Sequence, residues 1–443
     1  MSNKKLHHIN NGEHDIIFDT ESLDIHSTSS DDSVRDDVYD DQPLSVKNDY
    51  NNKLKGIRLC ELSFPTVHGC NLRCKYCFAK SGKNENYGQK FSEDLLQKSL
   101  AYFFEDFGAD ATNYKISFVS GGEPLLNLPL LKRCFQLIGN YNKKVEVFLC
   151  TNGTIYDKEV EQFLIENSPA LGISIDGDAF LHNQARVFDN DEGSYDCMYS
   201  NFLRIRDSRH LSLKTKKVWG LTVLHRNNFD LMRIIHNYKD MGITRAQMKF
   251  VRLEDNRSDF KLDYSVMSHI KDEYYKLFLQ LLSDARNNDL STICLILNNI
   301  DYFGKKIVRV ILRTPIPYRC NAARNKIAIT SNGNIYPCDS FVGNESFLLG
   351  NVEKGIENFE LIDSFCQLHV LNRNKCKDCW GRFVCSGDCY YNSFVVNRSI
   401  SEVDEFECEI QLFLTELAIR YVAQLKEKHI DYYKKIERLL MMK

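Results

Sequence analysis

From about Leu54 onwards, short apolar runs alternate with amphipathic stretches, and this alternation constrains the fold more than any other feature of the chain. The apolar runs predict six strands, at Arg58–Val67, Lys115–Val119, Val145–Cys150, Leu171–Ile175, Lys217–Leu224 and Gln247–Val251. The stretches between them predict helices at Glu93–Phe107, Pro129–Tyr141, Asp157–Asn167, Tyr195–Asp207 and Phe229–Asp240. Strands that alternate with helices form parallel units with right-handed crossovers. We therefore expect an α/β protein in which residues 55–255 form a partial (β/α)6, TIM-like barrel.

Polar motifs follow four of these predicted strands. HGCNLRCKYC comes after the first strand, SGGEP after the second, TNG after the third and IDG at the end of the fourth. In a parallel barrel the carboxyl ends of the strands meet at one rim, where the chemistry of such folds takes place. The four motifs should therefore lie together at that rim.

Sixteen cysteines are a high count for a chain of 443 residues. The first residues, MSNKKLHHINNGEHD, lack the apolar core of a signal peptide. The sequence also has no uninterrupted apolar run of about 18 residues, so we expect a cytoplasmic protein without a membrane span. In a reducing compartment, clustered cysteines hold metals or do chemistry more often than they form disulfides. A net charge of −3, with no basic stretch that contains aromatic residues, argues against nucleic acid as a partner.

The N-terminal 54 residues differ from the rest of the chain. Residues 12–42 carry eleven carboxylates against one arginine and few apolar side chains. Such a segment buries too little apolar surface to offset the entropy lost on ordering, which predicts disorder or loose packing. It could be a solubilising tail, or it could be a lid or docking strip for a substrate.

The pattern changes again after Val251. Residues 256–319 form a bridging region with one predicted helix, Ser268–Asn287, and an apolar stretch, STICLILNNIDYFGKKIVRVIL, of unsettled structure. Cysteines are dense after Cys320, and helices are scarce until a predicted C-terminal helix at Phe406–Leu425. We expect residues 320–443 to form a small domain held together by metal more than by a large apolar core.

Cys70, Cys74 and Cys77 follow the first predicted strand with the spacing C-x3-C-x2-C. A loop of this kind can hold an iron–sulfur cube with three thiolates and leave its fourth iron to an external ligand. The alternative is a structural zinc site, which needs a fourth protein ligand such as His68.

The stretch CNLRCKYCF resembles the signature of the radical S-adenosylmethionine (SAM) superfamily. The resemblance implies that SAM chelates the open iron and that its reductive cleavage yields a 5′-deoxyadenosyl radical, which removes a hydrogen atom from the substrate. It also implies that Gly121, Gly122 and Glu123 receive the SAM amino group. The other implied SAM contacts are Tyr76 near the adenine with Phe78 beside it, Ser174 and Asp176 near the ribose, and Arg186 at the SAM carboxylate.

A second cysteine pattern, with Gly333 between its first two cysteines, resembles the SPASM extension of radical SAM peptide-modifying enzymes. By this resemblance, one auxiliary cluster is held by Cys376, Cys379, Cys385 and Cys408. Another is held by the three thiolates of Cys320, Cys338 and Cys389, with an iron open to a substrate thiolate or to a further ligand such as Cys366. The implied cofactors are SAM and three [4Fe-4S] clusters. Zinc ribbons are the alternative that CxxC pairs raise, but seven thiols divide badly into tetrahedral zinc sites.

Within this superfamily, CFAKSG, FVGNESFLLGNV and WGRFVCSGDC resemble maturases of SCIFF-type and ranthipeptide precursors, which form cysteine thioether cross-links. The implied partners are a ribosomally synthesised precursor peptide and an electron donor such as flavodoxin or ferredoxin. Asp339 matches an aspartate that acts as a base in anaerobic sulfatase maturases, although it could equally be a turn-forming residue. Formylglycine formation, a carbon–carbon cross-link and a non-catalytic metal-binding scaffold stay open as alternatives.

Overall fold

The computed structural model describes residues 6–10, 15–28, 58–65, 69–77, 91–119, 121–208, 218–253, 259–298 and 300–442. Phe78 and His68, two residues of the sequence prediction, lie outside this part of the chain. Among the described helices, none combines the length and the apolar character needed to cross a bilayer.

The first described residues form an antiparallel sheet of β1 (Leu6–Asn10), β2 (Asp15–Asp19) and β3 (Ile25–Thr28). The expectation of disorder or loose packing is therefore wrong for residues 15–28, and the rest of the acidic segment lies largely outside the described residues. Its few apolar side chains explain the difference, because Ile16, Ile17 and Phe18 are almost fully buried. The ring of His7 also stacks on Trp380 at 3.9 Å, which places this sheet against the C-terminal region.

The barrel contains six parallel strands that pair in chain order, as the sequence predicts. They are β4 (Leu59–Ser63), β5 (Asn113–Phe118), β6 (Val145–Thr151), β7 (Ala170–Ser174), β8 (Val218–Leu224) and β9 (Ala246–Phe250). Side chains alternate between the two faces of each strand. On β5, Tyr114, Ile116 and Phe118 are buried on the face towards the helices, and the residues between them face the inside of the barrel.

Six helices connect the strands. They are α1 (Glu93–Ala101), α2 (Leu128–Asn140), α3 (Lys158–Asn167), α4 (Ala179–Asn183), α5 (Tyr195–Asp207) and α6 (Leu231–Met241). Five of them lie close to their predicted positions, and the short helix α4 was not predicted. A single π-helical turn, Tyr102–Phe107, extends α1 over the rest of its predicted length. Local capping fixes α6, because the carboxylate of Asp230 accepts from the Arg233 N–H and Gly242 ends the helix at a φ of 77°.

The bridging region is helical, with α7 (Met267–Arg286), α8 (Ser291–Ile296) and α9 (Gly304–Leu312). The predicted helix Ser268–Asn287 is thus confirmed to within one residue at each end, and the unsettled apolar stretch forms two further helices. Helix α9 packs on the long C-terminal helix and brings Lys306 and Arg309 to the region of the auxiliary cysteines.

The C-terminal region continues the barrel sheet. Its strands are β10 (Lys326–Ile329), β11 (Asn334–Tyr336), β12 (Gly350–Asn351) and β13 (Gly355–Ile356). Its helices are α10 (Phe359–Cys366), α11 (Arg382–Cys385), α12 (Tyr390–Asn397), α13 (Glu405–Lys428) and α14 (Ile430–Met441). Strand β10 pairs in parallel with β4, so Ile327, Ile329 and Ile335 join the hydrophobic core of the barrel. The expectation of a separate domain without a large apolar core is wrong in this respect.

Candidate active site

The cysteine loop after β4 and the GGEP motif after β5 touch through their backbones. The Glu123 N–H donates to the carbonyl oxygen of Gly69 at 2.9 Å. Gly121 has a φ of 81°, and a Cβ placed on Gly122 would lie 1.8 Å from that same carbonyl oxygen. Only glycine permits this approach, so the motif places the loop of Cys70, Cys74 and Cys77 against the end of β5.

Glu123 is buried at the centre of this rim. Its carboxylate accepts from the Leu125 N–H at 3.1 Å, the Thr151 hydroxyl at 2.8 Å and the Asn152 N–H at 2.7 Å. Burial raises its pKa to about 7 against the opposing effect of these hydrogen bonds. A carboxylate has about four acceptor positions, so one is left for an ammonium such as that of SAM. That contact stays a prediction.

The TNG motif completes the rim with contacts that the sequence did not predict. The side-chain amide of Asn152 donates to Asn71 at 2.9 Å and towards the thiol of Cys70 at 3.7 Å. Asn71 also donates to the hydroxyl of Thr154 at 2.8 Å. The three strand ends thereby position the first cysteine of the loop. The only signal in the sequence was the position of TNG after a predicted strand.

Tyr76, Asp176 and Arg186 form a buried cluster on the other side of the cysteine loop. The Asp176 carboxylate accepts from the Tyr76 hydroxyl at 2.5 Å, Arg186 Nε at 2.8 Å and the Val223 N–H at 2.9 Å. Burial raises the pKa of Asp176, but the charge of Arg186 and the other donors outweigh it, and the net pKa lies below its ordinary value. The guanidinium lies over the Tyr76 ring at 5.4 Å, and its Nη1 points to the Cys74 thiol at 4.0 Å.

These contacts bear on the predicted SAM contacts of Tyr76, Asp176 and Arg186. Tyr76 is only 6 % exposed, and Asp176 is fully buried with protein donors on both carboxylate oxygens. Asp176 therefore positions Tyr76 and Arg186. Ser174 ends β7 within hydrogen-bonding reach of the Cys150 thiol. The predicted roles of these residues at the adenine, ribose and carboxylate of SAM stay predictions.

Cys320, Cys338 and Cys389 come together beside the inside of the barrel, where the three thiols interact electrostatically. Cys320 is exposed, and burial raises the pKa of Cys338 to about 12. Cys366, the candidate fourth ligand, interacts with Arg324 and Asp363 instead.

Asp339, which follows Cys338, accepts from the Ser63 hydroxyl at 3.1 Å and from Lys326 Nζ at 2.9 Å. It therefore joins the end of β4 to β10. The side chains of Asp339 and Lys326 are 19 % and 24 % exposed, so the pair is partly buried. Lys326 places a positive charge beside the Asp339 carboxylate. Lys326 and Ser63 were not predicted, since residues paired across a sheet carry no local motif.

The other four cysteines of the C-terminal region line one small cavity. They are Cys376, Cys379, Cys385 and Cys408. No three His, Cys, Asp or Glu side chains in the described ranges are spaced to hold a single metal ion. Four thiols around one cavity fit the donor set of an iron–sulfur cluster.

Lys306 provides an independent test of that fit. Its side chain is fully buried on α9, and its Nζ has no hydrogen-bond partner among the described residues. Burial lowers its pKa to about 8, while the Cys385 thiol raises it, and Lys306 also interacts with Cys379. An unpaired buried ammonium is costly. Cluster thiolates and sulfides would supply the missing acceptors, so the residues fit such a group.

Replacing Lys306 with Met is expected to lower the reduction potential of this auxiliary cluster by about 100 mV, because loss of a nearby cation disfavours the added electron by a few kcal/mol. The cluster-free protein should become more stable, since an uncompensated buried charge is removed. Redox titration followed by electron paramagnetic resonance, with chemical denaturation of the cluster-free form, measures both. Lys271→Met is the control, because it removes an exposed lysine that pairs with Glu409 on α13. Equal potentials in both variants would contradict the assignment.

Comparison with known proteins agrees with this geometry. Residues 64–228 match the radical SAM superfamily, and residues 320–380 match SPASM, an iron–sulfur cluster-binding domain. The chain is a radical SAM enzyme with a SPASM domain. Radical SAM domains bind SAM and a [4Fe-4S] cluster, and SPASM domains bind further iron–sulfur clusters; the number of clusters here, three, is our proposal.

Individual relatives are similar to this chain over most of its length. The chain is 26% identical over 341 residues to the cysteine-type anaerobic sulfatase-maturating enzyme of Clostridium perfringens (strain 13 / Type A), covering 73% of this chain and 87% of that enzyme. The structure of this radical SAM enzyme is similar to that of native anSMEcpe with bound AdoMet and Kp18Cys peptide. The TM-score is 0.65 at 20% identity, and the match covers 83% of this chain and 99% of that chain. Streptococcus suis SuiB bound to its precursor peptide SuiA gives a TM-score of 0.50 at 14% identity, over 91% and 98%.

Proposed function

We propose that this radical SAM enzyme modifies a ribosomally synthesised precursor peptide by joining a cysteine sulfur to a carbon of another residue. The observation that carries the proposal is the group of Cys320, Cys338 and Cys389 beside Asp339. Three thiolates can hold an iron–sulfur cube and leave one iron to an external ligand, and a substrate thiol is such a ligand. Cys320 is exposed, so a peptide thiol can reach this group.

The protein residues divide the chemistry between the cysteine loop after β4 and the three-cysteine group. Thioether formation removes a hydrogen atom from the carbon, and a proton and an electron from the thiol. SAM with its cluster supplies the acceptor of the hydrogen atom, and an auxiliary cluster supplies the acceptor of the electron. Asp339 lies next to Cys338 and receives the proton. The barrel holds both reacting groups in one enclosure, which makes their reaction effectively intramolecular.

A peptide substrate is supported by the solved structures, in which anSMEcpe binds the Kp18Cys peptide and SuiB binds SuiA. The sulfur-to-carbon link has its own support in the exposed three-cysteine group. The proposal includes a flavodoxin or ferredoxin as electron donor and a cytoplasmic location.

Oxidation of a sulfatase cysteine or serine to formylglycine is a second candidate of about equal support. The anaerobic sulfatase-maturating enzyme of Clostridium perfringens is similar over 73% of this chain, and Asp339 suits either reaction as a base. A carbon–carbon cross-link is the third candidate, because the same hydrogen-atom acceptor would serve it.

The test uses the anaerobically reconstituted full chain with SAM, dithionite and a cysteine-containing peptide encoded beside its gene. We expect 5′-deoxyadenosine and a peptide that has lost two hydrogen atoms and one alkylatable thiol. A product that reacts with hydrazide probes would establish formylglycine instead. Loss of two hydrogen atoms with every thiol still alkylatable would overturn the thioether in favour of a carbon–carbon link.

A further inference from the structure

Lys249 lies on the inner face of the barrel. On β9, Met248 and Phe250 face the helices, and the ring of Phe250 lies 4.5 Å from that of Tyr302. Because side chains alternate along a strand, Lys249 must face the opposite way, into the barrel. Its side chain is exposed, so the ammonium lies in a part of the interior that water can enter.

The strand register places Lys249 at the reacting end of the barrel. Ser174 on β7 pairs with Leu221 on β8, and Val223, two residues further on, pairs with Lys249. Lys249 is therefore one layer beyond Ser174 towards the carboxyl-terminal rim. Its side chain interacts electrostatically with the Cys150 thiol, which also interacts with Glu123 of the rim.

The other side of Lys249 faces the auxiliary cysteines. The nearest charged or ionisable groups there are Arg252, Asp339, Lys326 and Cys389. Lys249 thus lies between the rim of the cysteine loop and the three-cysteine group. Under the proposed function, the substrate peptide has to lie between these two sites.

The carboxylates of this region already interact with other cations. Asp339 already pairs with Lys326 at 2.9 Å. Arg252 donates to the Tyr302 hydroxyl at 3.3 Å and interacts electrostatically with Glu407 and Asp388. Within the described residues, Lys249 makes no hydrogen bond and no ion pair. Lys249 therefore faces the interior without a hydrogen-bonded or ion-paired carboxylate among the described residues.

We propose that Lys249 binds the side-chain carboxylate of an Asp or Glu in the substrate segment that enters the barrel. The pairing is charge-assisted and takes place in an enclosure where such hydrogen bonds are strong. It rests on the proposed function, because it assumes a peptide between the two cysteine sites. Lys249 is then a positioning residue that selects an acidic segment and fixes its carbon next to the rim. The reaction itself changes no bond of the lysine.

The test separates binding from turnover. Cluster-loaded full-length enzyme with SAM but without reductant is incubated with pooled cysteine-containing heptapeptides, identical except for one position that is Asp, Glu, Asn, Gln or Lys. Retained peptides are quantified by mass spectrometry. We expect the acidic peptides to be retained about tenfold or more over their amide counterparts. Lys249→Met should abolish that preference, and Lys249→Glu should favour the lysine peptide.

Lys115→Met is the matched control, because Lys115 faces inward from β5 but lies on the ring of Phe148 at 5.9 Å. It should keep the acidic preference. Equal retention of acidic and amide peptides by the wild-type enzyme overturns the inference, even if those peptides are converted to thioethers when reductant is added. The inference is also overturned if Lys249→Met keeps the preference for acidic peptides and instead shifts the reduction potential of the cluster. The lysine would then only balance the charge of the cluster. Failure of the proposed function has a different signature, which is SAM cleavage without modification of any cysteine peptide.

Discussion

An alanine at position 122 is expected to abolish iron binding by the three-cysteine loop and, with it, all SAM cleavage. The new Cβ would lie 1.8 Å from the oxygen and 2.5 Å from the carbon of the Gly69 carbonyl, whereas real contacts of this kind are not shorter than 3.0 Å. Both sides of the clash are backbone, so no side-chain rotation relieves it. The loop must move away from β5 and lose the hydrogen bond from the Glu123 N–H. We expect the free energy of unfolding to fall by about 3 kcal/mol.

Gly139→Ala is the matched control for Gly122→Ala. Gly139 lies in α2, and its added Cβ would meet no atom within 4 Å. Alanine is the better helix former by about 1 kcal/mol, so this variant should be as stable as the parent or more stable. Iron and sulfide analysis after anaerobic reconstitution, a 5′-deoxyadenosine assay and chemical denaturation compare the two. If Gly122→Ala retained full iron content and cleaved SAM normally, the close contact would have no role in forming the site.

The barrel could be predicted because its signals are local and repeated. Each strand of β4–β9 is a short apolar run, each helix between them is amphipathic, and the parallel order follows from their alternation. The same order brought GGEP, TNG and IDG to the rim, where Glu123 and Asn152 now form hydrogen bonds with each other. Parallel topology converts positions in the sequence into neighbours in space.

The predictions that were wrong share one physical cause, which is pairing between segments that are far apart in the sequence. The pairing of β10 with β4 joins segments about 260 residues apart and has no local signature. Likewise, the N-terminal sheet forms because a few apolar residues find a surface provided by the C-terminal helix, although composition alone argues for disorder. When a side chain is buried by a segment far away in the sequence, its burial cannot be predicted from the composition of its own segment.

The candidate site shows the same limit at the level of single side chains. A motif identified Asp176 and Arg186 as residues of the site, but it did not show that each is the partner of the other. Their mutual pairing gives Asp176 a structural role, because it accepts hydrogen bonds from Arg186, from Tyr76 and from the backbone of Val223. Motifs therefore locate chemistry, and the contacts decide which group each residue serves.

Replacing Asp339 with Asn should slow formation of the modified peptide by about a hundredfold or more while leaving SAM cleavage intact. Removal of a positioned proton acceptor costs this much when the proton is transferred in the slow step. The amide keeps an oxygen that can accept from Ser63, so the connection between β4 and β10 should survive. The ratio of modified peptide to 5′-deoxyadenosine is the decisive measurement, because only a proton acceptor late in the reaction lowers this ratio.

A purely structural role of Asp339 predicts a different pattern. Loss of the ion pair with Lys326 would then disturb Cys338, so that iron content, stability and SAM cleavage would fall together. Asp110→Asn is the control for the same chemical change at an exposed ion pair with Arg58, and it should leave product and 5′-deoxyadenosine unchanged. A normal ratio of product to 5′-deoxyadenosine in Asp339→Asn would remove Asp339 from the chemistry. The proton would then have to leave the substrate thiol for another group beside the three cysteines.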